Sequence, residues 1–155
     1  MKVGVAFALD RDAGELFADA RALESAGADS FWTMSADGQL VLLAAIAAVT
    51  WRARIVAADV EAGPAIDTLT RVSRGRAAMA STRGGEVVIS GEAGEERWLR
   101  APFPEEGRAA WSELRAKAEA DGFAGIVLPN DPRLLDLLRN PEVNDDRSDL
   151  KLAFG

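Results

Sequence analysis

The chain of 155 residues contains no cysteine, no histidine and no tyrosine. Without cysteine there is no disulfide, no thiolate nucleophile and no thiolate metal site. Without histidine the side chain that ordinarily titrates near neutral pH is missing, and with it the usual general base and the commonest metal ligand. Basic charge is scarce as well: 18 Lys and Arg stand against 25 Asp and Glu, a formal net charge of -7. That balance opposes attraction to phosphate backbones and anionic bilayers, so neither nucleic acid nor a membrane is an expected partner. Long apolar runs are missing too. Val3 to Leu9 stops at Asp10, too short and too soon charged for the apolar stretch of a secretory signal, and Leu40 to Val49 is too short to span a bilayer. A cytoplasmic location is the expectation.

What is present is enough for one domain, residues 1–155, able to bury about two-thirds of the surface of its unfolded chain. The stretch Arg52 to Gly75 organises the rest. Ile55, Val56 and Val60 suit a buried parallel strand, Glu61 to Gly63 supply a turn, and Pro64 occupies a first helical position, where the missing N–H costs nothing. Ile66, Leu69 and Val72 then recur at helical spacing, and the helix ends in Arg71, Arg74 and Gly75.

The same unit precedes it. Val3 to Leu9 reads as a strand, Asp12 with Glu15 as the capped start of a helix running to Gly27, and Ser30 to Met34 as a second strand. Leu40 to Val49 is a helix apolar on every side, which fits a buried or interfacial position. After Gly75, Arg76 to Ser81 and Glu86 to Ser90 are strands too close for a crossover helix, so an antiparallel hairpin or a bent continuation is expected, with Arg97 to Arg100 as a further short strand. The parallel rhythm resumes with a helix over 105–121, a strand at Ile126 to Leu128, a helix begun by Asp131 and Pro132, and a last strand at Leu150 to Phe154. Such a βα order calls for right-handed crossovers. Pattern alone does not fix whether the sheet stays open or curls toward a barrel; a full eight-unit barrel takes about 250 residues, which leaves room for a reduced one at most.

Several runs carry a resemblance: Ala20 to Trp32 (ARALESAGADSFW), Leu42 to Thr50 (LLAAIAAVT), Arg52 to Ile55 (RARI) and Leu69 to Arg76 (LTRVSRGR). In this order and spacing they resemble the second, third and fourth strand openings of the luciferase-like monooxygenases. The likeness covers about residues 1–81 and returns at Gly122 to Val127 and Pro132 to Arg139. It implies a TIM-like barrel that binds FMN or the deazaflavin F420. Pattern and resemblance together give the fold class: α/β, a reduced TIM-barrel-like, mainly parallel sheet with a β-hairpin insertion. Two departures bear on activity. Many members of the family carry an acidic residue and a histidine after the second strand, where this chain has Ser35, Ala36 and Asp37. A cis peptide bulge behind the flavin, common in the family, would fall near Ala57, Ala58 and Asp59.

Ligands of parallel α/β folds sit beyond the carboxyl ends of the strands, which selects the candidate site. Asp59 and Glu61 are the candidate acid–base residues, since a carboxylate in an apolar pocket can be tuned for proton transfer; a solvated rim is the alternative. Ser35, Ala58, Ser81, Thr82, Arg83 and Gly84 are the candidate cofactor-binding residues, with Ser81 to Gly85 a possible anion cradle or a plain hairpin turn. Trp32 and Trp51 are candidates for walling a flavin or for core packing. The acidic run Asp145, Asp146 and Asp149 lacks the spacing of a calcium loop. Two functions follow: a small flavin- or F420-dependent luciferase-like oxidoreductase binding a small-molecule ligand, or a noncatalytic relative that serves in binding or assembly. A homodimer is expected in either case, joined through the helix Leu40 to Val49 and through Trp98, Leu99, Phe103 and Trp111.

Overall fold

A computed structural model describes residues 1–8, 12–33, 38–91 and 94–140. Seven strands form its wall: β1 (Lys2–Phe7), β2 (Ser30–Thr33), β3 (Arg54–Ala58), β4 (Ala77–Arg83), β5 (Glu86–Gly91), β6 (Gly94–Arg100) and β7 (Gly125–Pro129). Five short helices accompany them: α1 (Ala13–Ser25), α2 (Gln39–Val49), α3 (Pro64–Val72), α4 (Arg108–Ala120) and α5 (Leu134–Arg139). Neighbouring strands pair in chain order, and β7 pairs back onto β1, so the sheet closes. The pairs β1–β2, β2–β3, β3–β4, β6–β7 and β7–β1 are parallel; β4–β5 and β5–β6 are antiparallel.

The architecture corrects the expected fold class. The molecule is a closed seven-strand mixed β-barrel with five short helices, and not a helix-surrounded, reduced TIM-barrel-like parallel sheet carrying a hairpin insertion. The reason lies at the Gly84–Gly85 turn between β4 and β5. Two residues cannot carry a crossover, so β5 must run back against β4. β6 reverses again and meets β7, which makes the supposed insertion part of the wall. Among the described residues no helix separates β4 from β5 or β5 from β6.

Strand alternation sorts the side chains into two cores. Val3, Val5, Phe7, Phe31, Ile55, Ala57, Ile126 and Leu128 point outward and pack with Leu16, Leu43, Ile46, Leu69, Trp111 and Leu134 of the helices. Ala6, Trp32, Val56, Ala78, Ala80, Val87, Ile89, Trp98 and Val127 fill the lumen. Trp32 and Trp98 meet edge to face there, ring centroids 5.3 Å apart and planes at 61°. Glycines make the space. A Cβ on Gly125 would overlap Trp98 Cζ3 and lie 2.5 Å from Cε3, and one on Gly4 would overlap Trp32 Nε1 and lie 2.9 Å from Ser30 Oγ.

Local signals explain most element ends. Asp12 caps α1, accepting from the Gly14 N–H at 2.8 Å and the Glu15 N–H at 3.4 Å. Pro64 opens α3, and Gly75, with φ of 78°, turns the chain toward β4. α5 starts at Leu134, two residues beyond the expected Pro132, because the Asp131 carboxylate accepts from the Arg133 N–H and holds a turn ahead of the helix. The chain between α2 and β3 is tied down by Glu24 of α1, whose buried carboxylate accepts from the N–H groups of Trp51, Arg52 and Ala53 at 2.7–3.0 Å. Beside it, the Arg76 guanidinium donates to the carbonyls of Ala47, Thr50, Ala53 and Ser73. The expected strand at Leu150 to Phe154 and the acidic run 145–149 lie outside the described residues, and among the described residues no helix is long and apolar enough to cross a membrane.

Candidate functional site

Among the described residues six strands run in one direction and β5 opposes them, so β1, β2, β3, β4, β6 and β7 all finish at one end of the barrel. Most candidate residues stand there. Asp59, just past β3, has a left-handed backbone at φ 55° and reaches across to β4: its carboxylate accepts from the Thr82 N–H at 2.7 Å and from the Thr82 hydroxyl at 2.6 Å. These two bonds outweigh burial and hold its pKa below the ordinary aspartate value. The two bonds make Asp59 a latch between two strand ends. Glu61 is exposed on the following turn. The peptide bonds from Ala57 to Asp59 are trans.

The cofactor candidates separate. Ala58 is buried, and its carbonyl accepts from Gln39 Nε2 at 3.2 Å, while Gln39 Oε1 accepts from the buried Thr33 hydroxyl at 2.8 Å. Thr82 is committed to Asp59. Arg83 points along the hairpin to Glu95, 3.5 Å away, both groups exposed. Ser81 is half-buried on β4, and Ser35 lies outside the described residues. Gly84 lines a cavity. Together with Ala6, Gly85, Arg100, Ala101, Pro102, Val127, Leu128 and Pro129 it bounds a recess of about 470 Å³ at the barrel mouth, within the size range of small-molecule sites. Arg100 is the residue that sequence reasoning missed. Its position on the lumen side follows from alternation with Glu96 and Trp98, a parity that becomes legible only once the register of β6 against β7 is known.

The tryptophans divide: Trp32 takes the core-packing role, whereas Trp51 stays at the surface. Trp32, Trp98 and Trp111 are buried inside the single chain, which removes Trp98 and Trp111 from the apolar surface expected to join two copies. Trp51 is 65 % exposed and stacks under the Arg74 guanidinium at 4.0 Å.

At the opposite end a charged cluster borders a recess of about 230 Å³ lined by Lys2, Asp29, Ser30, Arg52, Arg54 and Trp98. Glu96 accepts from Arg54 at 2.9 and 3.4 Å, from Lys2 at 3.4 Å and from Trp98 Nε1 at 3.4 Å. The Arg54 hydrogen bonds, opposed by burial and aided by the charges of Arg54 and Lys2, lower its pKa. A larger hollow of about 840 Å³ runs along β4 beside α3, floored by Ile66, Ala77 and Met79. Its rim arginines are engaged: Arg52 with the Glu24 carbonyl, Arg54 with Glu96, and Arg76 with its four carbonyls. Among the described residues no group of three or more His, Cys, Asp or Glu could hold a metal ion. No protein-family model matches the chain, and no curated protein matches it either.

Proposed function

We propose that the chain is a noncatalytic binding module, related to the luciferase-like proteins by the resemblance in its first half, that takes a small molecule at the barrel mouth. The observation that carries this reading is the lumen itself, filled by Trp32 against Trp98 and leaving the mouth recess as the place for a ligand. The carboxylates support it: Glu24, Asp59, Glu86 and Glu96 have pKa values held down by hydrogen bonds that outweigh burial, the wrong direction for proton transfer near neutral pH. The test is turnover. Protein supplied with FMN, FAD or F420 and a reduced nicotinamide is expected to show no cofactor-dependent rate above the free cofactor; a rate abolished by substitutions at the mouth contradicts the reading.

One observation favours the alternative, a flavin- or F420-dependent oxidoreductase in which the cofactor supplies the redox chemistry. The mouth combines an apolar floor, a glycine pair and an arginine, a set that suits a ring and its phosphate. Saturable uptake of FMN or F420 on titration, together with turnover, supports that alternative. For self-association we propose the outer face of α2, where Val41 is 76 % exposed, with a second copy as partner. A single-chain mass in light scattering up to high micromolar concentration refutes it.

A further inference from the structure

The mouth recess holds one charged group with nothing to do. Glu96, Trp98 and Arg100 share the lumen side of β6: Glu96 is neutralised at one end of the barrel, Trp98 fills the middle, and Arg100 stands at the mouth. Among the described residues the Arg100 guanidinium has no hydrogen-bond, ion-pair or ring partner, in contrast to Arg52, Arg54, Arg76, Arg83, Arg97 and Arg133. Its main chain is fixed, because the Arg100 N–H donates to the Gly85 carbonyl at 3.2 Å and the Ala101 N–H to the Val127 carbonyl at 3.1 Å. The surroundings are apolar: Ala6, Ala101, Pro102, Val127 and Pro129. Beside Arg100 lies the Gly84–Gly85 turn, where a Cβ would meet nothing at either position and the backbone stays open to close approach.

From this geometry we infer that the mouth is a site for a small anion with an apolar body, its carboxylate or phosphate held by Arg100 and its ring or chain laid on Val127, Pro129 and Ala6. Arg100 is exposed at the recess edge, and a guanidinium fork with no competing acid pairs with either anion through two parallel hydrogen bonds while the apolar lining takes the body of the ligand. The specificity is double. The charged head alone finds no floor to bury, and the apolar body alone leaves Arg100 unpaired. The inference rests on reading the mouth as the binding site. Flavin turnover would end the noncatalytic reading while leaving the role of Arg100 to be decided by the titrations that follow.

The experiment is a set of NMR titrations of the full chain with phenyl phosphate, benzoate, benzyl alcohol and inorganic phosphate, following backbone amides. Phenyl phosphate or benzoate is expected to shift Gly84, Gly85, Arg100 and Val127 saturably, and the tighter of the two identifies the head group as phosphate or carboxylate. Benzyl alcohol and inorganic phosphate should each bind about 10-fold more weakly or worse, since each lacks one half of the interaction. Arg100→Gln should weaken the preferred anion by about 10-fold or more, Arg100→Lys by less, and Arg83→Gln not at all. Because the Arg100 side chain bonds to no described residue, its variants are expected to fold, and their amide spectra verify it. The inference is overturned if neither aromatic anion saturates below about 10 mM, if Arg100→Gln binds as wild type does, or if the shifts gather at Lys2, Arg52 and Arg54 at the other end.

Discussion

Replacing Gly125 with alanine adds one methyl group at the point where β7 passes beneath Trp98. The new Cβ overlaps the indole at Cζ3 and lies 2.5 Å from Cε3 and 2.9 Å from the Lys2 carbonyl oxygen on β1. Neither neighbour yields easily. Trp98 is 1 % exposed and wedged against Trp32, and the carbonyl belongs to a paired strand. The backbone at Gly125 is not left-handed, so the substitution costs through sterics alone. Overpacking of this kind costs about 1–3 kcal/mol, or roughly 3–10 °C of Tm for a domain of this size. Urea unfolding followed by tryptophan fluorescence should show a lower midpoint with an unchanged slope. Trp98→Phe shortens the ring system and takes away its outer edge, Cζ3 included, which the methyl group strikes. In that background Gly125→Ala should cost at least about 0.5 kcal/mol less than it does alone, a positive coupling between neighbours. A Gly125→Ala midpoint equal to wild type, or a penalty undiminished by Trp98→Phe, refutes the packing of the lumen described above.

Two further outcomes follow from the carboxylates. Burial opposes ionisation of Glu24, but the N–H groups of Ala53, Arg52 and Trp51 and the charge of Arg76 outweigh it, placing its folded pKa below the ordinary 4.5. A depressed pKa means that the ionised group stabilises the fold in full above the unfolded value and that this contribution is lost as pH falls toward the folded one. Stability should therefore be flat above about pH 5 and fall at lower pH. Glu24→Gln should cost about 2 kcal/mol at neutral pH and make the acid limb shallower, and a wild-type acid limb in that variant would sink the assignment. At Asp59, Asn retains a hydrogen bond to Thr82 and tolerates the left-handed backbone, so Asp59→Asn should cost under about 1 kcal/mol; Asp59→Ala, which adds backbone strain to the lost bonds, should cost more. Equal unfolding midpoints for the two variants contradict the latch.

The local elements were legible because their signals are local. Asp12 with Glu15, Pro64, Gly75 and the apolar recurrences fix α1, α3 and the buried strands with little help from the rest of the chain. Closure of the barrel was not legible, since it depends on β7 finding β1 across the whole sequence and on β5 and β6 serving as wall, which no short-range pattern encodes. The short Gly84–Gly85 connection announced the hairpin, but not that the hairpin completes the barrel. Residue chemistry named Asp59, Thr82 and Arg83, which all stand near the carboxyl ends of β3 and β4. Their partners are set by tertiary geometry: Asp59 meets Thr82 across a strand gap, and Arg83 meets Glu95. Arg100 went unnoticed because nothing in its sequence neighbourhood reveals which side of β6 it occupies.

Indole hydrogen exchange tests the central claim, a lumen sealed by tryptophan with binding confined to the mouth. Each of the four indole N–H groups gives one signal in a proton–nitrogen spectrum, and its exchange with solvent reads access to that ring. Trp32 Nε1–H donates to the buried Ser30 hydroxyl at 2.7 Å inside the barrel, whereas Trp51 is 65 % exposed. The account predicts that the Trp32 indole proton exchanges only through unfolding, slower than that of Trp51 by several orders of magnitude, and keeps that protection when the mouth is saturated with ligand. A Trp32 proton that exchanges as fast as that of Trp51, or that loses its protection when FMN or another ligand is added, contradicts it by showing that the lumen opens.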